Sequence, residues 1–221
     1  MIYVTGDLHG DLKDFKKRKL HKLKKGDTLI VCGDFGFVFD NGETEMKNRK
    51  WLSKRPFNIV FVDGAHDNHE IIDSFETVDV FGSQAKKVSE NIFCLIRGEV
   101  YVIENKTFFA FGSGLSENYL MKEDPDALYI LPTMEELRHG SEILKANNDK
   151  VDYIITYEAP ATIRSYIYNN ERTKNHLHEY LEAVSKRVEF KRWYFGHYHI
   201  DRPITRSYTS VYQKVVKLSE Q

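Results

Sequence analysis

Four apolar segments of the sequence each end in a turn that carries aspartate or histidine beside glycine. The turns are Gly6-Asp7-Leu8-His9-Gly10, Gly33-Asp34-Phe35-Gly36, Asp63-Gly64-Ala65-His66 and Gly196-His197-Tyr198-His199. Near-continuous apolar segments of this length are typical of parallel strands that are covered on both faces. Open α/β sheets place their sites at the carboxyl ends of such strands. We therefore expect the four turns to meet at one edge of the fold.

The rest of the sequence alternates predicted strands and helices. Helices are predicted from the N-cap Asp11 to about Leu23 and over 43–54, 69–75, 133–147 and 173–187, the fourth with a capping box of Thr133 and Glu136. Strands are predicted over 2–5, 27–32, 58–62, 151–157 and 190–195. The segments 91–96, 99–104 and 107–111 alternate and predict an antiparallel meander, and the tail between Pro203 and Leu218 predicts two or three short strands. This mixture predicts a layered α/β protein with sheet packed on sheet and helices outside.

Length and composition restrict the class of protein. The chain has 221 residues, 41% apolar and 29% charged, which indicates a globular chain, and without a recognisable linker we expect one domain over 1–221. Its 32 basic and 33 acidic residues argue against a globally basic nucleic-acid binder. Cys32 and Cys94 lie in apolar segments and are expected to be buried free thiols, which favours a reducing compartment. The predicted strand that directly follows Met1 leaves no room for a signal peptide, and no apolar run is long enough to span a bilayer, so we expect a cytoplasmic protein.

The residue types in the four turns suit a metal site. Asp7 and His9 are two residues apart in an extended segment, so both side chains project to one side, and His197 and His199 repeat this spacing. Carboxylates together with imidazoles suit divalent Mn, Fe, Zn or Ni better than Ca or Mg. The remaining helical histidines lie among charged residues and are expected to be solvated: His21, His139, His176 and His178.

The ordered set GDLHG, GDFG, DGAH and GHYH resembles the calcineurin-like metallophosphoesterase family over almost the whole chain, and within it the small bacterial and phage branch. The resemblance implies a four-layer α/β/β/α sandwich that holds two metal ions at the strand ends. By resemblance, Asp7, His9 and His199 hold the first ion, Asp34 bridges both, and His197 holds the second. His66 would stabilise the phosphoryl oxygens and protonate the leaving group. Two such ions activate water for attack on a phosphomono- or phosphodiester of a small molecule, nucleotide or phosphoprotein.

The sequence departs from the family pattern at two ligands of the second ion. The usual Gly-Asn-His is Gly64-Ala65-His66, and the usual histidine of the fourth motif is Tyr157. Asn68, His69 and Glu158 are nearby donors, and Tyr157 itself would have to bind as a phenolate, against its ordinary pKa near 10. We expect one occupied site and a vacant or weak second site.

Three functions follow as hypotheses. The first is a phosphoesterase weakened by the changes at Ala65 and Tyr157. The second is an inactive relative that binds a phosphorylated ligand or a protein partner. The third is nucleic-acid contact through residues 13–25, which hold eight lysines and arginines, although we favour an amphipathic helix with Phe15, Leu20 and Leu23 inward as the explanation of that segment. Ser113, Glu117 and Asn118 in the polar segment 112–131 are further candidates for substrate contact.

Overall fold

A computed structural model describes residues 1–114, 131–169 and 175–218 of the chain. The strands in these ranges are β1 Ile2–Thr5, β2 Thr28–Cys32, β3 Asn58–Val62, β4 Thr77–Val80, β5 Ser83–Ser89, β6 Ile92–Leu95, β7 Glu99–Ile103, β8 Lys106–Phe111, β9 Tyr153–Thr156, β10 Arg192–Phe195, β11 Arg202–Pro203, β12 Tyr208–Ser210 and β13 Val216–Leu218. The helices are α1 Leu12–Lys17, α2 Glu43–Leu52, α3 His69–Ser74, α4 Met134–Ala146, α5 Ala161–Tyr168 and α6 His176–Arg187, with a short 3₁₀ helix at Leu20–Lys22.

The strands form two mixed sheets. The first has the order β13-β1-β2-β3-β6-β5-β4 and the second β11-β12-β10-β9-β8-β7. Strands β1, β2, β3 and β6 run parallel, as do β8, β9, β10 and β12, and antiparallel strands cover both edges of each sheet. The apolar segments that predicted parallel strands therefore form the middle of each sheet.

Three apolar clusters define four layers. The first cluster joins inward residues of both sheets, such as Val4 and Ile155, and forms the core between them. The second packs the outer face of the first sheet against α1, α2 and α3. The third packs the outer face of the second sheet against α4, α5 and α6. The chain therefore has the predicted α/β/β/α order of layers, and the two thiols, Cys32 and Cys94, are free and buried in it.

The predicted meander is wrong for its first strand, whereas its second and third strands, β7 and β8, form the predicted antiparallel pair. Strand β6 pairs with β3 and β5 in the first sheet, whereas β7 pairs with β8 in the second, so the chain changes sheets between β6 and β7. The alternation of residues 91–111 could not show which neighbour each strand pairs with. Strands β4 and β5 and helix α5 were not predicted, because the first two are half-exposed and polar and α5 is short.

The lysine-rich helix is shorter than predicted. Asp11 caps α1 through hydrogen bonds from the amides of Lys13 and Asp14, but the helix ends at Lys17. Lys19 has left-handed backbone geometry and leads into the 3₁₀ helix. Phe15 and Leu20 are buried as the amphipathic pattern predicts. Among the helices of the described ranges, none combines the length and the apolar character that crossing a bilayer requires.

Candidate metal centre

The candidate site lies where parallel strands of both sheets end. Asp7 and His9 follow β1, Asp34 follows β2 and His66 follows β3, while His197 and His199 follow β10 of the second sheet. The amide of His197 donates a hydrogen bond to Asp7 Oδ1 at 3.0 Å, which joins the turns of the two sheets. A side chain at Gly196 would overlap the carbonyl oxygen of Cys32, so this close approach requires glycine.

Five of the candidate residues in these turns have a left-handed backbone conformation. The φ angles are positive at Asp7 (45°), His9 (45°), Asp34 (47°), His197 (66°) and His199 (50°). Left-handed geometry costs a non-glycine residue on the order of 1–3 kcal/mol, and such residues cluster at functional sites. Between the first two turns, a side chain at Gly10 would overlap the carbonyl oxygen of Gly36. The backbone thus accepts strain at the positions where polar side chains converge.

Two overlapping groups of side chains bring their ligand atoms within 4.8 Å of one another. One contains Asp7, His9 and His199, and the other contains His9, Asp34 and His66. The Nε2 atoms of His9 and His199 are 3.2 Å apart, and His9 Nε2 lies 3.8 Å from Asp34 Oδ2. Asp7 Oδ2 is buried and accepts no hydrogen bond from the described residues. A divalent cation fits this arrangement, since it would satisfy a buried carboxylate oxygen and separate two facing imidazole nitrogens.

The pKa shifts of Asp7 and His199, in the first group, also favour a bound cation. Burial and the neighbouring charge of Asp34 raise the pKa of Asp7 well above its usual range. Burial and the charge of His9 lower the pKa of His199, which favours the neutral imidazole that binds metals. Ionisation of a buried carboxyl beside a second carboxylate is disfavoured both by the loss of hydration and by repulsion between the two negative charges. A cation at this position would offset both effects.

Around Asp34, donors from the protein already occupy both carboxylate oxygens. The Tyr157 hydroxyl donates to Oδ2 at 2.9 Å, and His66 Nδ1 lies 2.9 Å from the same oxygen. The amide of His66 donates to Oδ1 at 2.9 Å. Although burial alone would raise the pKa of Asp34, the hydrogen bond and charge of His66 hold it below its usual range.

Tyr157 is a neutral phenol in this environment. Burial and the charges of Asp34 and Asp7 raise its pKa well above 10, so binding as a phenolate is disfavoured. Its ring is wedged against Gly33, Gly64 and Gly114, where any side chain would collide with it. The tyrosine therefore closes one side of the Asp34 carboxylate.

The sequence profile of the calcineurin-like phosphoesterases matches residues 1–201. The chain belongs to the calcineurin-like phosphoesterase family. No curated protein matches it. Members of this family typically bind divalent metals and act on phosphoesters. In this chain, the clustered aspartates and histidines at the strand ends are candidate ligands for such an ion.

Asn68 and His69, the nearby donors considered as ligands of a second ion, interact with other groups. Asn68 caps α3 by accepting from the amide of Ile71 at 3.2 Å. His69 lies between two carboxylates, with Nδ1 3.7 Å from Asp63 and Nε2 3.5 Å from Asp73.

Glu158 faces away from Tyr157 and toward two histidines, with Oε1 3.8 Å from His197 Nε2 and Oε2 3.3 Å from His178 Nε2. Burial alone would raise its pKa, but the charge of His197, the nearby Nε2 atom of His178 and the hydrogen bond from Tyr198 bring it to about 2. His197 Nδ1 is buried and has no hydrogen-bond partner among the described residues.

The expectation that His178 is solvated is wrong. Its side chain is buried at the start of α6, where Nδ1 accepts from the amide of Asn175 at 3.2 Å. This acceptor role leaves the proton on Nε2, which faces Glu158. Helical histidines at 139 and 176 also have partners, Glu99 Oε1 at 2.7 Å and the carbonyl of Pro132 at 2.9 Å. Spacing along a helix could not reveal partners that come from other elements.

Two further residues support the site, although their sequence context did not single them out. Arg18 is buried and donates to the carbonyl oxygens of Gly6 and Asp7 at 2.6 and 3.0 Å, and it pairs with Asp14. Tyr212 stacks on His199 with ring centroids 4.4 Å apart. The i,i+4 spacing of Asp14 and Arg18 could have predicted their ion pair from the sequence. Nothing in the C-terminal segment indicated that Tyr212 contacts the site. Ser113 is buried with φ at 76°, and the candidates Glu117 and Asn118 lie outside the described residues.

Two cavities adjoin His9. One, of about 490 Å³, also adjoins His66 and is lined by Phe39, Asp40 and the start of α2; we call it the Phe39 cavity. The other, of about 520 Å³, adjoins Asp7 and is lined by residues of α1 and the C-terminal segment; we call it the Lys13 cavity. The candidate metal centre therefore has space for a substrate in two cavities.

Proposed function

We propose that the chain is a metal-dependent phosphoesterase that hydrolyses a phosphomono- or phosphodiester with one divalent ion, Mn, Fe, Zn or Ni. Asp7, His9, Asp34 and His199 would hold the ion. The observation that carries this proposal is the buried, unpaired Asp7 Oδ2 beside the two facing imidazoles of His9 and His199. The free buried thiols of Cys32 and Cys94 fit the reducing conditions of a cytoplasmic protein.

The chain's own residues would orient the ester and move a proton. When bound, a divalent cation polarises a phosphoryl oxygen and activates water as a nucleophile. His66 lies beside His9, with ring centroids 4.8 Å apart, and it borders the Phe39 cavity. Asp34 holds the Nδ1 side of His66, as a carboxylate orients the base of a catalytic triad, so His66 would protonate the leaving group from Nε2.

We also propose that the second position is weak. Ala65 offers no ligand atom, and Tyr157 hydrogen-bonds the carboxylate that would bridge two ions. Of the usual ligands there, His197 retains a buried Nδ1 without a described partner. Loss of one Lewis acid removes several kcal/mol of transition-state stabilisation, and each ~1.36 kcal/mol costs tenfold in rate. Turnover of generic substrates should therefore be slow.

A second candidate function is binding without turnover. The hydrogen bond from Tyr157 to Asp34 favours it, because the site is internally satisfied on that side without a second ion. In this alternative, the same turns hold a phosphorylated small molecule or the phosphorylated surface of a protein partner.

The decisive experiment measures metal content and hydrolysis in the same preparation. Protein purified without added metal and then loaded with Mn²⁺ should contain about one ion per chain and slowly hydrolyse p-nitrophenyl phosphate or bis(p-nitrophenyl) phosphate. Asp34→Asn should abolish turnover. His66→Ala should lower kcat while leaving the metal content unchanged, since it would remove the proton donor. A stoichiometric ion with no turnover of either ester would favour the binding function, and absence of bound metal would contradict both.

A further inference from the structure

The Lys13 cavity carries positive side chains beside the candidate metal centre. Lys13 and Lys17 both line it, together with Asp7 and His9 on one side and Tyr212 and Gln213 on the other. The two lysines are four residues apart on α1, so they lie on the same face of the helix, with Cβ atoms about 5–6 Å apart. Two flexible ammonium groups at this spacing can converge on one anion.

Asp11 and Asp14 line the same cavity, but among the described residues neither forms an ion pair with Lys13 or Lys17. Asp14 is paired with Arg18, and the guanidinium of Arg18 is itself used on backbone carbonyls beneath the first turn. Asp11 Oδ1 accepts from the amides of Lys13 and Asp14 as the cap of α1. Within the described ranges, neither Lys13 nor Lys17 takes part in an ion pair.

The Phe39 cavity has a different character. It is lined by Phe37, Phe39 and the carboxylates of Asp40, Glu43 and Glu45, and none of the described residues that line it is a lysine or arginine. An ester bound at the centre would therefore meet lysines in the Lys13 cavity and carboxylates with aromatic rings in the Phe39 cavity. This asymmetry favours a substrate whose remaining negative charge lies toward α1.

We propose that Lys13 and Lys17 bind a second phosphate group of the substrate, so that this phosphoesterase prefers esters that carry a phosphate besides the scissile one. The inference rests on the proposed function, because it uses the candidate metal centre to place the scissile phosphate. The chemistry is shared by a free nucleotide with two phosphates and by a short oligonucleotide, whose neighbouring phosphate would occupy the same cavity.

The test compares two esters that differ only in one phosphate. Thymidine 5′-(p-nitrophenyl phosphate) and its 3′-phosphorylated derivative release the same product from the same bond. For the Mn²⁺-loaded protein we expect kcat/KM to favour the 3′-phosphorylated ester by about tenfold, as for one charge-assisted contact. The double variant Lys13→Gln with Lys17→Gln should remove that preference and leave the rate on the other ester unchanged. Rising ionic strength should shrink the preference, since exposed charges are screened.

A matched control changes the same charge outside the cavity. Lys22→Gln with Lys25→Gln alters exposed lysines that follow α1 and should keep the preference. Short oligothymidylate as a competitor separates the two sources: strong competition that needs Lys13 and Lys17 identifies a nucleic-acid strand, and weak competition identifies a free nucleotide. A wild-type protein without preference, or a double variant that retains it, would overturn the proposal.

A binding measurement tests the second-phosphate subsite without requiring that the protein hydrolyse either ester. If neither ester is hydrolysed, the proposed function fails, but calorimetry can still compare thymidine 3′,5′-bisphosphate with thymidine 5′-monophosphate. Tighter binding of the bisphosphate that disappears in the Lys13→Gln, Lys17→Gln variant would support the subsite in a non-hydrolysing protein. Equal binding of both nucleotides would refute it.

Discussion

The contact between Tyr157 and Asp34 is the basis for the proposal that the second metal position is weak. A protonated phenol donates to Oδ2 at 2.9 Å, and the buried Ala65 supplies no ligand. The double variant Ala65→Asn with Tyr157→His restores the family pattern, so we expect a second bound ion and at least about a tenfold gain in rate on bis(p-nitrophenyl) phosphate. Each single variant should gain much less, because three ligands hold an ion less well than four. Elemental analysis and steady-state kinetics measure the two quantities.

His66 supplies the control for that variant. In the rebuilt protein, His66→Ala should lower the rate again without releasing either ion, since its role lies in proton transfer. Rapid turnover by the unaltered protein, with no gain from rebuilding, would show that the second position is not what limits the rate.

Asp7 links metal binding to pH. Its pKa is raised above 3.8 by burial and by Asp34, so the metal-free fold loses stability as the pH rises from 3.8 toward the raised value. A bound Mn²⁺ would replace this proton and would stabilise the fold by mass action. We expect Mn²⁺ to raise Tm, and to raise it more near pH 8 than near pH 6. Asp34→Asn should blunt the rise; an equal rise in that variant would place the ion elsewhere.

At the scale of elements, helix α1 is short and its position depends on one side chain. Arg18, directly after the helix, donates to the carbonyls of Gly6, Asp7 and Tyr212 and to Thr5 Oγ1. Arg18→Gln leaves several buried acceptors unsatisfied and should cost about 3 kcal/mol of unfolding free energy. Chemical denaturation measures it, with exposed Lys22→Gln as control. A loss below about 0.5 kcal/mol, the range of ordinary surface changes, would show that α1 is held by its apolar face alone.

Much of the element pattern was predictable because parallel strands carry long apolar segments and helices carry caps. The turn residues Asp7, His9, Asp34, His197 and His199 were predicted to share one site on the same grounds; their role as ligands stays a prediction. The extended geometry predicted for Asp7 and His9 and for His197 and His199 is wrong, because these residues have a left-handed backbone. Aspartate and histidine adopt that geometry more often than most residues, but their spacing in the sequence does not indicate where. The buried Glu158–His178 contact and the Tyr212 stack on His199 join residues from distant elements, which periodicity does not report.

Across the whole molecule, a buried ion-pair network ties the layers together. Asp63 follows β3 of the first sheet, Arg97 lies between β6 and β7 where the chain changes sheets, and Glu136 is on α4. Arg97 pairs with both carboxylates and is itself buried. Arg97→Met would leave the Asp63 carboxylate unpaired in the interior and should cost about 3–5 kcal/mol.

The same network sets a pH dependence. Burial alone would raise the pKa of Asp63, but the charge and hydrogen bonds of Arg97 hold it below 3.8. Its stabilising contribution is therefore fully present above pH 3.8 and is lost as the pH falls through the lowered value. Arg97→Met should remove this acid-side dependence, as measured by urea unfolding between about pH 3 and 7. If the free energy of unfolding of the variant still falls with decreasing pH as in the unaltered protein, the acid sensitivity comes from other carboxylates.

The pairing of β1 with β13 has a consequence for synthesis of the chain. β1 holds an inner place in its sheet only once Ile2 faces Leu218, and Thr5 bonds the carbonyl of Tyr212, 207 residues later. At roughly 5–20 residues per second, a ribosome needs about 10–40 s to add that length. For that time one edge of β1 offers open backbone groups to any passing strand. The nascent chain therefore carries the turn of Asp7 and His9 on an unfinished sheet, and its yield in the cell should respond to chaperones that shield early strands.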